Sequence, residues 1–196
     1  IKRVVRRMIV VLPFEESIYR EANVPCNFVG HPLLDSMATQ YDKVQIRKQF
    51  GLPEDRLILG ILPGSRYSEI QSLLPPMMEA VLRIKRDYPD IHCVIGQAPT
   101  VAEEWIDEVI DRKKYSVTLI RNQPNEVMAV ADLLLVASGT ATLQAALIGT
   151  PMILTYRVSW LTYLITEIIV TVDRIGLVNL VAERGIVPEL LQNEAT

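Results

Sequence analysis

The chain has 196 residues, 49% apolar, 22% charged and 6% aromatic, a composition that suits one folded domain and excludes a disordered segment. A chain of this length buries about 70% of its unfolded surface, so its core needs no disulfide or metal staple. Twenty Lys and Arg against 23 Asp and Glu give a net charge of -3, which argues against a general binder of nucleic acid backbones.

The basic residues Lys2, Arg3, Arg6 and Arg7 open the chain without a Met or a following signal-peptide apolar region, so the start reads as a cut into a longer chain. Met8–Leu12 reads as a strand, Phe14–Ala22 as a helix whose start is favoured by Glu15, Phe28–Val29 as a short strand, and Gly30-His31-Pro32 as a sharp bend. This pattern predicts that residues 1–35 are the remnant of a preceding domain and a hinge, with residues 36–196 forming a second domain. From residue 57 onward, apolar runs alternate with helical-length segments, the signature of βαβ units around a parallel sheet. Strands are expected at Leu57–Leu62, Ile91–Ile95, Val117–Ile120, Leu133–Val136 and Met152–Tyr156. Pro75 and Pro76 predict a helix that starts near them and ends by Pro89, because proline is tolerated in a first turn and not in an interior. Thr100 and Glu103 have capping-box spacing for a helix through about Arg112, Asn125 suits a cap for a helix through Ala131, and Gly139 opens another that Gly149 stops.

Trp160–Val172 and Val127–Ala137 are the longest apolar stretches, each broken by a carboxylate and too short to span a bilayer. Trp160–Val172 reads as an amphipathic helix, buried against protein or resting on a lipid surface. Cys26 and Cys93 lie far apart and form no metal-binding spacing with His31 or His92, so no disulfide framework, metal or cofactor is expected. His31 suits a hydrogen bond that fixes the bend, and His92 a structural role in its apolar run.

Two segments fit chemistry. Gly64, Ser65 and Arg66 follow the first strand of the array, where a glycine lets backbone N–H groups approach an anion and an arginine adds a permanent bidentate charge. Ser138, Gly139 and Thr140 lie between the fourth strand and a helix, with Gln144 one turn on, an arrangement that leaves helix N-terminal N–H groups open to a pyrophosphate. A tight turn at Gly64 and a simple cap at Ser138 or Thr140 are the alternatives. Both turns fall on one edge of one parallel sheet, which favours a nucleotide-diphosphate cleft. Neither matches the P-loop or dinucleotide fingerprint.

The series Leu12-Pro13-Phe14-Glu15, Gly30-His31-Pro32, Pro63-Gly64-Ser65-Arg66, Ser138-Gly139-Thr140-Ala141-Thr142-Leu143, Pro151-Met152 and Val187-Pro188-Glu189-Leu190-Leu191-Gln192 resembles the lipid-A-disaccharide synthase family along essentially the whole chain. The resemblance implies an α/β, Rossmann-like C-terminal domain of a GT-B glycosyltransferase. It implies an inverting, metal-independent hexosyltransferase that moves diacylglucosamine from its UDP donor to diacylglucosamine 1-phosphate, on the cytoplasmic side of a Gram-negative inner membrane as a peripheral protein. Under it, Gly64, Ser65, Arg66, Ser138, Gly139 and Thr140 line the donor phosphates, Arg121, Asn122 and Gln123 lie against the uracil, Gln144 meets the ribose and Asn179 sits near the sugar. The general base is expected in an N-terminal domain, so this part alone binds donor and turns over nothing. Two positions depart from the family pattern: Gln144 stands where Glu is usual, losing charge assistance to the ribose hydroxyls, and Val178 replaces Pro before Asn179. A stand-alone UDP-binding module and another UDP-sugar transferase of the same fold are the other readings, and a homo-oligomer is left open.

Overall fold

The structure, a computed structural model, describes residues 4–38, 40–157 and 174–195. The segment Trp160–Val172 therefore lies outside the described residues. Two parallel strands, β1 (Met8–Val10) and β2 (Cys26–Phe28), flank helix α1 (Pro13–Glu21). Glu15 accepts hydrogen bonds from the N–H groups of Val11 and Leu12 at the start of α1. At the bend, His31 Nδ1 accepts from the Leu33 N–H at 3.2 Å, which fixes the turn into the short helix α2 (Leu33–Ser36). Helix α3 (Lys43–Gln49), capped by Asp42, leads to the main array.

That array comprises β3 (Ile58–Leu62), α4 (Tyr67–Asp87), β4 (His92–Gln97), α5 (Glu103–Asp107), α6 (Arg112–Tyr115), β5 (Val117–Arg121), α7 (Pro124–Val130), β6 (Leu133–Ala137), α8 (Thr140–Ile148), β7 (Met152–Tyr156), α9 (Leu177–Val181) and β8 (Glu189–Leu191). Its strands form one sheet in the order β5-β4-β3-β6-β7-β8, parallel at every pairing. The five expected strands are present within two residues at each end, and β8 joins as a sixth from the Val-Pro-Glu-Leu-Leu segment.

Period-two alternation divides the core. Ile58 and Leu62 pack beneath α3, α7 and α8 on one face, while Leu59 and Ile61 pack under α4 and α5 on the other. Gly60 and Gly96 lie on the α7 side, where an added Cβ would come within 2.5 Å of Leu134 and Leu62 respectively and meet Val127 at 3.4 Å. These two glycines let α7 settle close against the sheet, which brings its first turn to the strand ends.

Helix α4 departs from expectation. It begins at Tyr67, eight residues before Pro75, and carries both prolines in its interior. Ile70, Leu73, Leu74, Met77, Met78 and Val81 are buried along it, and at about 1.5–3 kcal/mol each their burial outweighs the ~3 kcal/mol that an interior proline costs. The Thr100 capping box is also absent. Thr100 Oγ1 donates instead to the Ser65 carbonyl at 2.9 Å, Glu103 turns to two arginines, and the expected helix divides into α5 and α6. Asn125 occupies the second position of α7 and makes no cap, its carboxamide being used elsewhere.

Candidate functional site

Because the strands are parallel, the ends of β3, β4 and β6 share one edge, and the order reverses there: β4 lies on one side of β3 and β6 on the other. A reversal of this kind leaves a crevice between diverging loops. A cleft of about 440 Å³ opens at this point, lined by Gly64, Ser65, Arg66 and Glu69 on one side, by Gly96, Ala98, Pro99 and Thr100 behind, by Pro124 and Met128 of α7, and by Ser138, Gly139, Thr140, Ala141 and Gln144 opposite. The volume is within the range of small-molecule sites.

The first wall is organised by a residue the sequence reading passed over. Glu69, in the first turn of α4, accepts from the Ser65 N–H at 2.7 Å and the Arg66 N–H at 3.2 Å through Oε2, and from Arg66 Nη1 at 2.8 Å through Oε1. These loop amides, expected to line a donor phosphate, hold the chain's own carboxylate in this structure. Gly64 (φ 118°) makes this possible, since a Cβ would overlap the Glu69 carboxylate. Arg66 stays 78% exposed at its side chain, with guanidinium N–H groups beyond the Glu69 bond. Spacing could have found Glu69, because a carboxylate three residues after Arg66 is the second half of a capping box and would have moved the helix start to the loop.

The opposite wall is the reverse case. Helix α8 begins at Gly139, whose backbone (φ 149°) no side chain adopts easily, and no side chain caps it. Ser138 N–H is used by the Thr155 carbonyl at 3.0 Å, and the Thr142 N–H and hydroxyl both turn back to the Gly139 carbonyl. The N–H groups of Thr140 and Ala141 have no hydrogen-bond partner among the described residues. Open donors and the positive end of the helix dipole therefore face the cleft from this side. Gln144 lies one turn further, donating from Nε2 to Asn125 Oδ1 at 3.2 Å.

Gly64, Ser65, Arg66, Ser138, Gly139, Thr140 and Gln144 are thus brought together. Four other candidates are not. Arg121 is bound to Glu103 through Nε at 2.6 Å and through a second guanidinium nitrogen, and Arg112 takes the other oxygen of the same carboxylate at 2.7 Å. The hydrogen bond from Arg121, supported by Arg112, holds the Glu103 carboxyl below the usual range. Asn122 adopts a left-handed turn (φ 57°) with its N–H on the Gln97 carbonyl, and Gln123 accepts from Gln49 at 3.3 Å. None of these three lines the cleft, which their loop borders through Pro124.

Asn179 is 2% exposed and does not line the cleft either. Its Nδ2 donates to the Val187 carbonyl (2.9 Å) and to Glu189 Oε1 (2.6 Å), while its Oδ1 accepts from the Ile186 and Val187 N–H groups at 2.8 and 3.1 Å. Every hydrogen-bonding position of the carboxamide is filled from within the chain. Glu189 also accepts from the Ile175 and Gly176 N–H groups, so the pair fastens α9 to β8. Asn179, expected beside the sugar, forms a structural tie here and lies outside the cleft lining.

No group of three or more metal-binding side chains occurs among the described residues, and no helix among them is long and apolar enough to cross a membrane.

An all-parallel Rossmann-like sheet with helices on both faces and a switch-point cleft at its strand ends is a doubly wound α/β architecture, the fold also found in domains of GT-B glycosyltransferases. Solved structures of the same fold include WaaG, described as a glycosyltransferase involved in lipopolysaccharide biosynthesis (TM-score 0.53, 17% identity, 93% of this chain and 48% of that one). The H548A form of the wall teichoic acid polymerase TagF is another, at TM-score 0.52 and 15% identity over 93% of this chain and 49% of its own. The profile of the lipid-A-disaccharide synthetase family matches residues 1–196, and the chain belongs to that family. Lipid-A-disaccharide synthases of Syntrophus aciditrophicus and Myxococcus xanthus are 43% and 40% identical to it over 196 residues, all of this chain and 51% of each relative. The chain spans about half the length of the curated relatives it matches.

Proposed function

We propose that this chain is the donor-binding part of a lipid-A-disaccharide synthase, holding UDP-2,3-diacylglucosamine while its sugar passes to 2,3-diacylglucosamine 1-phosphate. The observation that carries the reading is the uncapped N-terminus of α8 at Gly139 and Thr140, across the cleft from Arg66. A diphosphate between them meets open N–H donors, a helix dipole and a guanidinium together. As the glycosidic bond breaks, charge builds on the departing UDP, and the same groups stabilise it more than they stabilise the ground state. No metal is required for this role, since Arg66 and the helix supply the positive charge. The acceptor hydroxyl attacks the sugar carbon from the opposite face, with inversion, and the base that takes its proton belongs to the other half of the enzyme. Residues 1–35 are read as the end of that half and residues 36–196 as the donor domain. Both substrates of this reading carry acyl chains, which favours work at a lipid surface, the cytoplasmic face of a Gram-negative inner membrane in this proposal.

Calorimetric titration with UDP, ADP and CDP tests the reading. Selective UDP binding that Arg66→Ala reduces tenfold or more supports it. A folded chain that binds the three nucleotides equally, or none of them, overturns it.

A further inference from the structure

The carboxylate of Glu69 uses the donors that an anion entering the cleft would use. Its Oε2 accepts from the Ser65 and Arg66 N–H groups at 2.7 and 3.2 Å and its Oε1 from Arg66 Nη1 at 2.8 Å, and among the described residues these are its hydrogen-bond partners. Two successive backbone N–H groups beside a guanidinium form the kind of concavity that binds phosphate. The carboxylate that fills it lines the cleft, and the Glu69 side chain is 21% exposed, so a solute in the cleft reaches it. Other bonds hold the loop as well. Thr100 Oγ1 donates to the Ser65 carbonyl at 2.9 Å, and α4 starts with backbone bonds from the Glu69 and Ile70 N–H groups to the Arg66 carbonyl, both at 3.1 Å. With the Glu69 side chain turned outward, the two N–H groups and the guanidinium therefore stay at the cleft wall with their donors open.

We propose that Glu69 is an internal competitor for anions: its carboxylate keeps the Ser65 and Arg66 donors occupied in the empty cleft, and a ligand phosphate takes them by displacing it. A terminal phosphate carries up to two charges and three acceptor oxygens against the single charge of the carboxylate, so a phosphate that other contacts already hold in the cleft wins the exchange. A free inorganic anion has to displace the carboxylate unaided and is kept out. Glu69 thereby makes admission depend on what the phosphate is attached to, which deepens the diphosphate reading above and rests on it for the identity of the admitted ligand.

Calorimetric titration of the chain with inorganic pyrophosphate and, separately, with uridine tests the anion and the uncharged part of a nucleotide one at a time. A charge-assisted hydrogen bond that no longer has to be displaced corresponds to about tenfold or more, so Glu69→Ala binds pyrophosphate at least about tenfold more tightly than wild type. Glu69→Gln keeps an acceptor for the start of α4 but loses the charge assistance, and gains at least about threefold. Uridine, which has no charge to compete with, binds all three proteins alike. Glu104→Gln removes the same charge from an exposed position outside the cleft lining and gains nothing. Partial unfolding lowers affinity, so a merely structural role of Glu69 produces no gain. Pyrophosphate affinity that is unchanged or weaker in both Glu69 variants overturns the proposal, as does an equal gain in Glu104→Gln or an equal gain for uridine. A wild-type chain that binds no UDP removes the nucleotide reading and leaves the pyrophosphate comparison to decide this one.

Discussion

Asn179→Ala separates the structural tie from a ligand contact. The substitution leaves the Ile186 and Val187 N–H groups and the Val187 carbonyl without their partner, and takes one donor from the Glu189 carboxylate. A buried polar group left unpaired costs about 1–3 kcal/mol, with the lower figure apt where water has some access. These hydrogen bonds are half-buried, so the loss comes to about 3–4 kcal/mol, a large share of the ~5–15 kcal/mol that holds a domain together. At about 2–4 °C per kcal/mol for a chain of this size, Tm falls by about 6–16 °C. Thermal denaturation followed by circular dichroism reads the loss, and a nucleotide titration well below the new Tm reads the site. Affinity should stay within about threefold of wild type, since Asn179 is outside the cleft lining. An unchanged Tm with a tenfold loss of nucleotide affinity would refute this reasoning and return Asn179 to the ligand.

Glu69→Ala removes the acceptor of two backbone N–H groups at the start of α4 and should cost about 1–2 kcal/mol, the usual value of a lost cap, visible as a lower urea midpoint. Glu69→Gln, which still accepts through its carbonyl oxygen, should lose less. Arg66→Ala keeps the cap and should unfold within about 1 kcal/mol of wild type, since exposed ion pairs contribute little. Gly96→Ala forces a Cβ to within 2.5 Å of Leu62 Cδ2 and should destabilise by about 1–3 kcal/mol with the denaturant slope unchanged. His92 is held below its ordinary 6.5, first by burial and then by Lys85, Arg56 and Arg47. The unfolded chain therefore binds that proton more readily, and the stability due to neutral His92 is present above about pH 6.5 and is lost as pH falls toward the folded value. His92→Gln should flatten the fall of Tm between about pH 7 and 5; an identical slope in both proteins would refute the assignment.

Strand positions and the sheet class are legible in the chain because buried parallel strands are apolar on both faces. Leu-Ile-Leu-Gly-Ile-Leu and Leu-Leu-Leu-Val carry that signal without help from distant residues. The two loops that line the cleft are legible for the same reason, since glycine and small polar residues after a strand report a local backbone requirement. Local rules fail where burial overrides them. Pro75 and Pro76 mark a helix start by their backbone chemistry, yet the apolar stripe from Ile70 to Val81 carries α4 through them and moves its N-terminus to Arg66. Partner choice among polar side chains is the other thing that only the tertiary structure decided. Glu103, Asn125 and Asn179 all have groups suited to a ligand. The fold brings Arg121, Gln144 and Glu189 to them from ten or more residues away, and pairing within the fold commits each before a ligand arrives. Residue type and spacing state what a side chain is able to bind; three-dimensional proximity, through distances that hydrogen bonds do not tolerate beyond about 3.5 Å, selects what it does bind.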